Sequence, residues 1–222
     1  MSKNIILQHW VGKLSELEKS SIEDMKSYAE YCGAEHRLIE GYFLDGLCPQ
    51  GQKLHMLNEV FDDYDIVVML DPDMFTNKLK KTKNIFTEET GIGRYFGLQP
   101  KIHKKVVMKH PMLSNINNAF WGGAIYRLER EMRKKLRQHI VIGELSQFNN
   151  EFFDEGMMHR LAVKTDIKNE SKYHIDRGQW DSSSYENNNN SEIIHIRPRR
   201  SLGGPWTPKI QIYRELKERG LI

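Results

Sequence analysis

The chain has 222 residues, of which 39% are hydrophobic, and it carries 33 basic against 30 acidic side chains. This length and apolar content suit a globular protein with a sizeable core, so we predict a single domain over residues 1–222. A net charge of +3 is too balanced to favour nucleic acid as the main partner, and we expect none.

Strand and helix patterns alternate along the first third of the chain. Apolar residues at helical spacing indicate two helices, and short apolar runs around them indicate strands. The second helix is predicted to carry one apolar face, made of Leu54, Leu57, Val60 and Phe61. This alternation predicts an α/β fold with a mostly parallel sheet and right-handed crossovers. The predicted elements are a strand at 4–8, a helix at 14–31, a strand at 35–43, a helix at 50–61 and a strand beginning at Tyr64.

The pattern becomes less regular after residue 76. Residues 77–105 contain glycines at 91, 93 and 97 and show no clear period. Apolar runs and helical spacing then return, with a polar, asparagine-rich stretch between them. The predicted elements are strands at 106–108, 119–128 and 192–196, helices at 129–140, 152–164 and 208–222, and a polar loop at 182–191.

The most informative stretch is YDIVVMLDPDMF, residues 64–75, in which five apolar residues run directly into Asp71 and Asp73. A continuous apolar run is typical of a strand covered on both faces. Because side chains alternate along a strand, both aspartates should point the same way past the carboxyl edge of the sheet, where ligand crevices lie. Pro72 fits a strand end. Two converging carboxylates are usually joined by a hard divalent cation. The alternative is that they cap a turn or a following helix.

Four segments, taken together, resemble a known family. KLHMLNEVFDDYDIVVMLDPDMF, residues 53–75, resembles the lysine–leucine helix, strand and Asp-x-Asp motif of nucleotide-sugar glycosyltransferases with the GT-A fold, notably glycogenin-like ones. AFWGGAIYRL at 119–128 is similar to the strand beneath the donor sugar, and FFDEGMMHRL at 152–161 to a helix start that presents an acid. HIRPRRSLGGPW at 195–206 is similar to a late histidine followed by a Pro-Trp segment. The compact size is also similar to that of small glycosyltransferase domains of large algal DNA viruses.

The resemblance implies a single GT-A domain, with a mostly parallel central sheet flanked by helices, and a definite chemistry. This is metal-dependent transfer of a hexose or deoxyhexose from a nucleotide-diphosphate sugar, preferably a uridine one, to a hydroxyl of a glycan. Mn²⁺ or Mg²⁺ would be held by Asp71, Asp73 and His195, and a neutral imidazole would favour manganese. Asp154 and Glu155 are the candidates for a general base, which favours inversion of the sugar. The alternatives are that His195 is an ordinary strand histidine, and that Asp154 and Glu155 only complement the dipole of a helix.

Two positions depart from the glycogenin-like pattern. The helix start reads Asp-Glu-Gly at 154–156 instead of Asp-Gln-Asp, and Gly204 stands where a phosphate-binding lysine is expected. The later arginines could supply the missing cation, because a guanidinium matches phosphate well. We therefore expect residues 195–206 to close over a bound diphosphate, unless they form a solvated basic tail. The full set of candidate donor-binding residues is Gln8, His9, Trp10, Lys53, Asp71, Gly122, Gly123, Arg197, Arg199 and Arg200.

Several of these candidates have simpler explanations. His9 and Trp10 could be core residues at a strand end, and Lys53 could be an ordinary surface lysine. The glycines could form a β-bulge. Two other classes of function also stay open. A phosphatase of the haloacid-dehalogenase type also places Asp-x-Asp after an apolar strand, although normally near the N-terminus and followed by threonine or valine instead of Met74. The second open class is a domain that binds glycans without catalysing a reaction.

Cysteine content and hydropathy bear on the cellular compartment. Cys32 and Cys48 form no disulfide framework, which favours a reducing environment. The N-terminal sequence lacks the apolar region and cleavage site of a signal peptide, and no window approaches 18 apolar residues. We therefore expect a cytoplasmic protein with no membrane anchor in this chain, and we expect the sequons at Asn169 and Asn189 to carry no glycan.

Overall fold

The computed structural model describes residues 2–87, 93–97, 119–165, 174–175, 177–184, 188–200 and 206–222. The strands, in chain order, are β1 (Asn4–Trp10), β2 (Glu35–Glu40), β3 (Ile66–Leu70), β4 (Met74–Thr76), β5 (Gly93–Gly97), β6 (Ala119–Gly122), β7 (Ile125–Glu129), β8 (His174–Ile175), β9 (Ser182–Ser183), β10 (Ile193–His195), β11 (Arg199–Arg200) and β12 (Trp206–Thr207). The α-helices are α1 (Glu16–Tyr31), α2 (Arg130–Arg137), α3 (Ile142–Leu145), α4 (Phe153–Lys164), α5 (Arg177–Trp180) and α6 (Lys209–Glu218). Helices of the 3₁₀ type span Gln50–Leu57, Glu59–Phe61, Ile85–Thr87 and Ser146–Phe148.

The main sheet has the strand order β2-β1-β3-β7. Strand β1 is parallel to β2 and β3, whereas β7 is antiparallel to β3. Along β3, Val67 and Met69 join the core on the side of α4, and Val68 and Leu70 join the core on the side of α1. The apolar run is therefore covered on both faces, as the sequence predicted. Burying one such side chain contributes about 1.5–3 kcal/mol. The predicted α/β fold with a mostly parallel sheet is confirmed.

Helix α1 begins at a capping box. The hydroxyl of Ser15 accepts a hydrogen bond from the backbone N–H of Leu17 at 3.2 Å, and the carboxylate of Glu18 accepts one from the N–H of Ser15 at 2.8 Å. Both bonds satisfy N–H groups that a helix start leaves free. Met25 and Ala29, on the buried face of the helix, then pack against the sheet.

The predicted helix at 50–61 is wrong in type. The chain instead forms two 3₁₀-helices that are separated by Asn58, whose extended backbone (φ −63°, ψ 148°) interrupts the first. The side chain of Asn58 then caps the second by accepting from the N–H of Val60 at 3.0 Å. Because of this break Val60 points outward and is 62% exposed, while the three other residues of the predicted apolar face are buried.

The predicted strand at 119–128 is two strands. Strand β6 pairs with β5, whereas β7 pairs with β3 of the main sheet, so the chain turns at Gly123 and Ala124 to pass from one sheet to the other. The predicted strand at 106–108 lies outside the described residues. Helix α6 is shorter than the predicted 208–222; Gly220, with φ 67°, follows its end in the left-handed conformation common after helices.

The pairing of β4 with β10 positions the candidate site. Strand β4 starts directly after the acidic pair and runs antiparallel to β10, with His195 opposite Met74. The backbone N–H of Ile196 donates to the carbonyl of Asp73 at 2.9 Å. Strand β10 thus brings His195 beside Asp71 and Asp73. Across the parts of the chain that are described, no helix combines the length and hydrophobicity that a membrane crossing requires.

Candidate metal centre and adjoining cavity

Asp71, Asp73 and His195 converge at the carboxyl edge of the main sheet. One ligand atom from each lies within 4.8 Å of the others. The Nε2 atom of His195 is 3.2 Å from Oδ1 of Asp73 and 4.0 Å from Oδ2 of Asp71. Asp73 and His195 are buried, and Asp71 is partly exposed. The structure therefore brings together all three residues that the sequence proposed as metal ligands.

This donor set fits a divalent cation. The Oδ1 atom of Asp73 is buried and makes no hydrogen bond of acceptable geometry within the described residues. A buried carboxylate oxygen without such a bond is costly, because it has lost its water. Two carboxylates and an imidazole are ligands that manganese accepts, and magnesium accepts the carboxylates. A cation among the three side chains would replace the proton that His195 shares with this oxygen across 3.2 Å.

Asp181, which is fully buried, orients the imidazole of His195. Its Oδ1 lies 3.0 Å from Nδ1 of His195. Nε of Arg197 lies 3.1 Å from the same nitrogen. Both contacts hold Nδ1 on the side of Asp181, so Nε2 faces the acidic pair. Burial disfavours the imidazolium, but Asp73 and Asp181 outweigh it and raise the pKa of His195 to about 9. A cation at Nε2 must therefore displace a proton, as is usual for metal binding.

Arg197 holds Asp181 in turn. Its NH2 atom lies 3.1 and 3.0 Å from the two carboxylate oxygens of Asp181, and NH1 donates to the hydroxyl of Ser183 at 3.1 Å. The guanidinium of Arg197, which the sequence predicts to bind phosphate, thus holds Asp181 in place beside His195. Its role toward phosphate stays a prediction.

Lys53 links the acidic pair to the start of α4. Its buried ammonium donates to the carbonyl of Gly123 at 2.8 Å and to Oδ2 of Asp154 at 3.0 Å, and it forms an ion pair with Asp71. Burial disfavours the ammonium, but the charges of Asp154 and Asp71 outweigh burial and raise the pKa of Lys53. All three ammonium protons therefore have partners within the protein, and Lys53 is not the surface lysine of the simpler explanation.

Gly123 leaves room for the carboxylate of Asp154. A Cβ atom at position 123 would lie 2.2 Å from Oδ2 of Asp154, which is far inside contact distance. The N–H of Gly123 also donates to Oε1 of Glu155 at 3.1 Å, and the hydroxyl of Tyr126 donates to Asp154 at 3.2 Å. Burial, followed by the charge of Asp154, raises the pKa of Glu155 to about 7. Both predicted acids thus contact the turn that follows β6.

The backbone just before these acids is strained. Phe152 and Phe153 have φ values of 69° and 41°, in the left-handed region that residues with a Cβ rarely adopt. Such positions cost about 1–3 kcal/mol each and concentrate at functional sites. The strain turns the chain abruptly so that Asp154 and Glu155 enter the first turn of α4 beside Gly123.

A cavity of about 390 Å³ adjoins the metal cluster. Its lining includes His9, Trp10, Lys53, Asp71, Asp73 and Lys209. Four of these six were predicted as donor contacts from the sequence. The ammonium of Lys209 forms an ion pair with Asp73, and the Lys209 side chain is 43% exposed. Gln8, in contrast, is fully buried; its amide donates to the hydroxyl of Ser21 at 3.1 Å and to the carbonyl of Asp71 at 3.3 Å.

Comparisons with known proteins agree with this architecture. No family model and no curated protein matches the sequence. The structure is similar to a glycosyltransferase involved in the glycosylation of the major capsid of PBCV-1, with a TM-score of 0.59 and 13% identity, over 97% of this chain and 99% of that one. It is also similar to the apo structure of WbbM, a bifunctional glycosyltransferase, with a TM-score of 0.51 and 11% identity, over 96% of this chain and 51% of that one. The fold is GT-A-like.

Sequence identity this low supports the fold alone. The predicted GT-A architecture is confirmed over nearly the whole chain, which spans about half the length of WbbM. Within the GT-A-like fold, the Asp-x-Asp motif follows β3 and the late histidine ends β10.

The remaining candidate donor-binding residues lie on two short strand pairs, β5 with β6 and β11 with β12. Gly122 ends β6 and pairs with Arg94, and Arg199 and Arg200 pair with β12. The side chains of both arginines, and residues 201–205 with Gly204, lie outside the described residues. Their contribution to phosphate binding, and the closure of 195–206, stay predictions.

The sequence analysis missed Asp181 and Lys209. Asp181 directly precedes β9, which pairs with β10, so only the strand pairing reveals that it lies beside His195. Lys209 did offer a signal. It opens α6, whose first turn holds no acid, and a lysine opposes the helix dipole there.

Proposed function

We propose that the protein is a metal-dependent glycosyltransferase that moves a hexose or deoxyhexose from a nucleotide-diphosphate sugar to a hydroxyl of a glycan. The observation that carries this proposal is that Asp71 and Asp73 belong both to the metal cluster and to the wall of the cavity. A diphosphate at that junction would meet a cation on one side, while its nucleoside fills the cavity. The GT-A-like fold supports the same conclusion.

The cavity suits the nucleoside part of a donor. Its volume of about 390 Å³ lies within the range of small-molecule sites. We propose that His9 and Trp10, which line the cavity together with the acidic pair and Lys53, contact the base. We propose uridine as the base, on the family resemblance. The proposed cytoplasmic location rests on the sequence alone.

Charge stabilisation and proton transfer divide between two groups of residues. Mn²⁺ or Mg²⁺, held by Asp71, Asp73 and His195, would supply positive charge to the leaving diphosphate. We favour Glu155 as the general base, because it is less buried than Asp154 and is held at the turn by the N–H of Gly123. A pKa raised to about 7 also suits proton transfer near neutral pH. Asp154 is already bonded to Lys53 and Tyr126, so it positions this region. A base without a dedicated nucleophile favours inversion.

A thermal-shift screen of nucleotide sugars with and without Mn²⁺ tests the proposal. A ligand that binds only the folded protein raises the unfolding temperature by mass action. We expect a shift with UDP-sugars and Mn²⁺ together, removed by a chelator, followed by sugar transfer or donor hydrolysis in a metal-dependent assay. Absence of any shift over a full donor panel would refute it. Phosphomonoester hydrolysis would indicate the phosphatase, and glycan binding without turnover the binding domain.

A further inference from the structure

Two lysines hold the acidic pair, and they differ in their freedom to leave it. Lys53 contacts Asp71 with a side chain that is 10% exposed, and it bonds two further groups. Lys209 contacts Asp73 with a side chain that is 43% exposed, and Asp73 is the one partner it has among the described residues. Lys53 is therefore fixed in place. Lys209 can swing away at the cost of one ion pair.

Helix stability does not account for Lys209. The residue opens α6, its first turn contains no acid, and the preceding Pro208 offers no side-chain cap. A positive charge at a helix N-terminus opposes the helix dipole. The ammonium nevertheless points to the metal cluster and lines the adjoining cavity. Its position is thus explained by the site and not by the helix.

A divalent cation bound to Asp73 would have to compete with Lys209. The ammonium contacts Oδ2, while Oδ1 faces Nε2 of His195 at 3.2 Å. A cation bound at Oδ1 would stand across one carboxylate from the ammonium, and the two positive charges would repel each other at short range. A diphosphate in the cavity offers Lys209 a new partner, since ammonium groups form strong charge-assisted bonds with phosphate oxygens.

We propose that Lys209 is an exchangeable cation of this site: it pairs with Asp73, gives way to the divalent metal, and then contacts the diphosphate of the donor. The inference rests on the proposed function. It makes Lys209 a donor-binding residue that also weakens metal binding when no nucleotide is present. Metal and nucleotide would then bind more tightly together than either does alone.

The variant Lys209→Met tests the exchange, with Lys217→Met on the same helix as the matched control. Binding of Mn²⁺ alone is measured by the electron paramagnetic resonance signal of the free ion. We expect Lys209→Met to bind Mn²⁺ several-fold more tightly than the wild type, because the competing charge is gone. Binding of UDP at saturating Mn²⁺ is measured by calorimetry. We expect it to weaken about tenfold, the loss of one charge-assisted bond. Lys209→Arg should retain part of the UDP affinity, and Lys217→Met should change neither.

The outcomes separate the two proposals. If the wild type binds Mn²⁺ and UDP but Lys209→Met has wild-type affinity for both, the exchange is wrong and the proposed function stands. Weaker Mn²⁺ binding in Lys209→Met would also overturn it, because Lys209 would then support the ligand Asp73. If the wild type binds neither Mn²⁺ nor UDP, both proposals fail. If the wild type binds Mn²⁺ but not UDP, which lacks the sugar of the donor, the Mn²⁺ affinities of the wild type and Lys209→Met decide whether the exchange is right.

Discussion

The carboxylate of Asp154 occupies the space that a side chain at position 123 would need. Its Oδ2 lies 2.2 Å from the position of a Cβ atom on Gly123. Lys53 donates to both residues, to the carbonyl of Gly123 and to the carboxylate of Asp154. The turn after β6, the start of α4 and the lysine are therefore bonded into one unit, and Asp71 is attached to it through Lys53.

Gly123→Ala should disrupt this unit. The added methyl group must push Asp154 away, and overpacking of this kind costs about 1–3 kcal/mol. We expect lower stability in urea denaturation and lower turnover. Gly143→Ala is the control, because a Cβ atom there meets nothing within 4 Å. Equal stability of the two variants would contradict the close contact.

Asp73→Asn should abolish metal-dependent donor binding while the protein stays folded. The amide keeps the shape of the carboxylate but removes the charge that a cation requires. Calorimetry of UDP with Mn²⁺ measures the effect, and Asp63→Asn, which lies outside the cluster, serves as the control. Unchanged affinity in Asp73→Asn would remove this residue from the metal site.

Asp181→Asn should weaken Mn²⁺ binding although Asp181 is not one of the three proposed ligands. Loss of an outer carboxylate that orients a metal-binding histidine typically costs about 10–100-fold in affinity. The amide can still contact Nδ1 of His195, but it brings no negative charge to the imidazole. Titration of free Mn²⁺ measures the change. A wild-type affinity would mean that the orientation of His195 does not depend on Asp181.

Glu155→Gln should lower turnover by roughly 10²-fold or more, with little change in donor affinity. The base acts in its ionised form, so wild-type turnover should rise with pH through about 7, the raised pKa of Glu155. The variant should lose this rise. Asp154→Asn should instead lower stability, because it removes one of the buried negative charges that balance Lys53. Normal turnover in Glu155→Gln, with the pH dependence retained, would exclude it as the base.

His159 should make the protein sensitive to acid. Burial lowers its pKa to about 3, below the value of 6.5 expected in the unfolded chain. The unfolded state therefore binds more protons between these values, and stability falls as the pH drops from about 6.5 toward 3. His159→Leu should lose less stability between pH 7.5 and 5 in urea denaturation than the control His139→Leu. Equal losses would show that other groups cause the acid sensitivity.

The acidic pair was predictable because its signal is local. A buried strand that ends in Asp71 and Asp73 can be read from twelve consecutive residues, 64–75. The two acids converge as predicted, but the reason is a turn after β3, closed by the backbone N–H of Met74 donating to the carbonyl of Asp71 at 3.2 Å, and not the alternation of a strand. The type of the helices at 50–61 was less predictable, since the extended backbone of Asn58 breaks an otherwise helical pattern.

The supporting residues could not be predicted, because their contacts join distant parts of the chain. Asp181 reaches His195 through the pairing of β9 with β10, and Lys209 reaches Asp73 from the last helix. Nor does the sequence indicate that the space beside Gly123 is filled by the carboxylate of Asp154 instead of a ligand. Such contacts depend on how the sheets and helices pack, which a pattern of apolar residues does not determine.

The pairing of β4 with β10 has a consequence for folding. Asp73 precedes β4 and His195 ends β10, so more than half of the chain separates the two. Closing so long a segment is entropically costly, and contacts of this kind form late. A nascent chain that has emerged only as far as α4 would hold the aspartates without the histidine. If the cluster binds Mn²⁺ as proposed, that binding would begin only after β10 has been synthesised and has paired with β4.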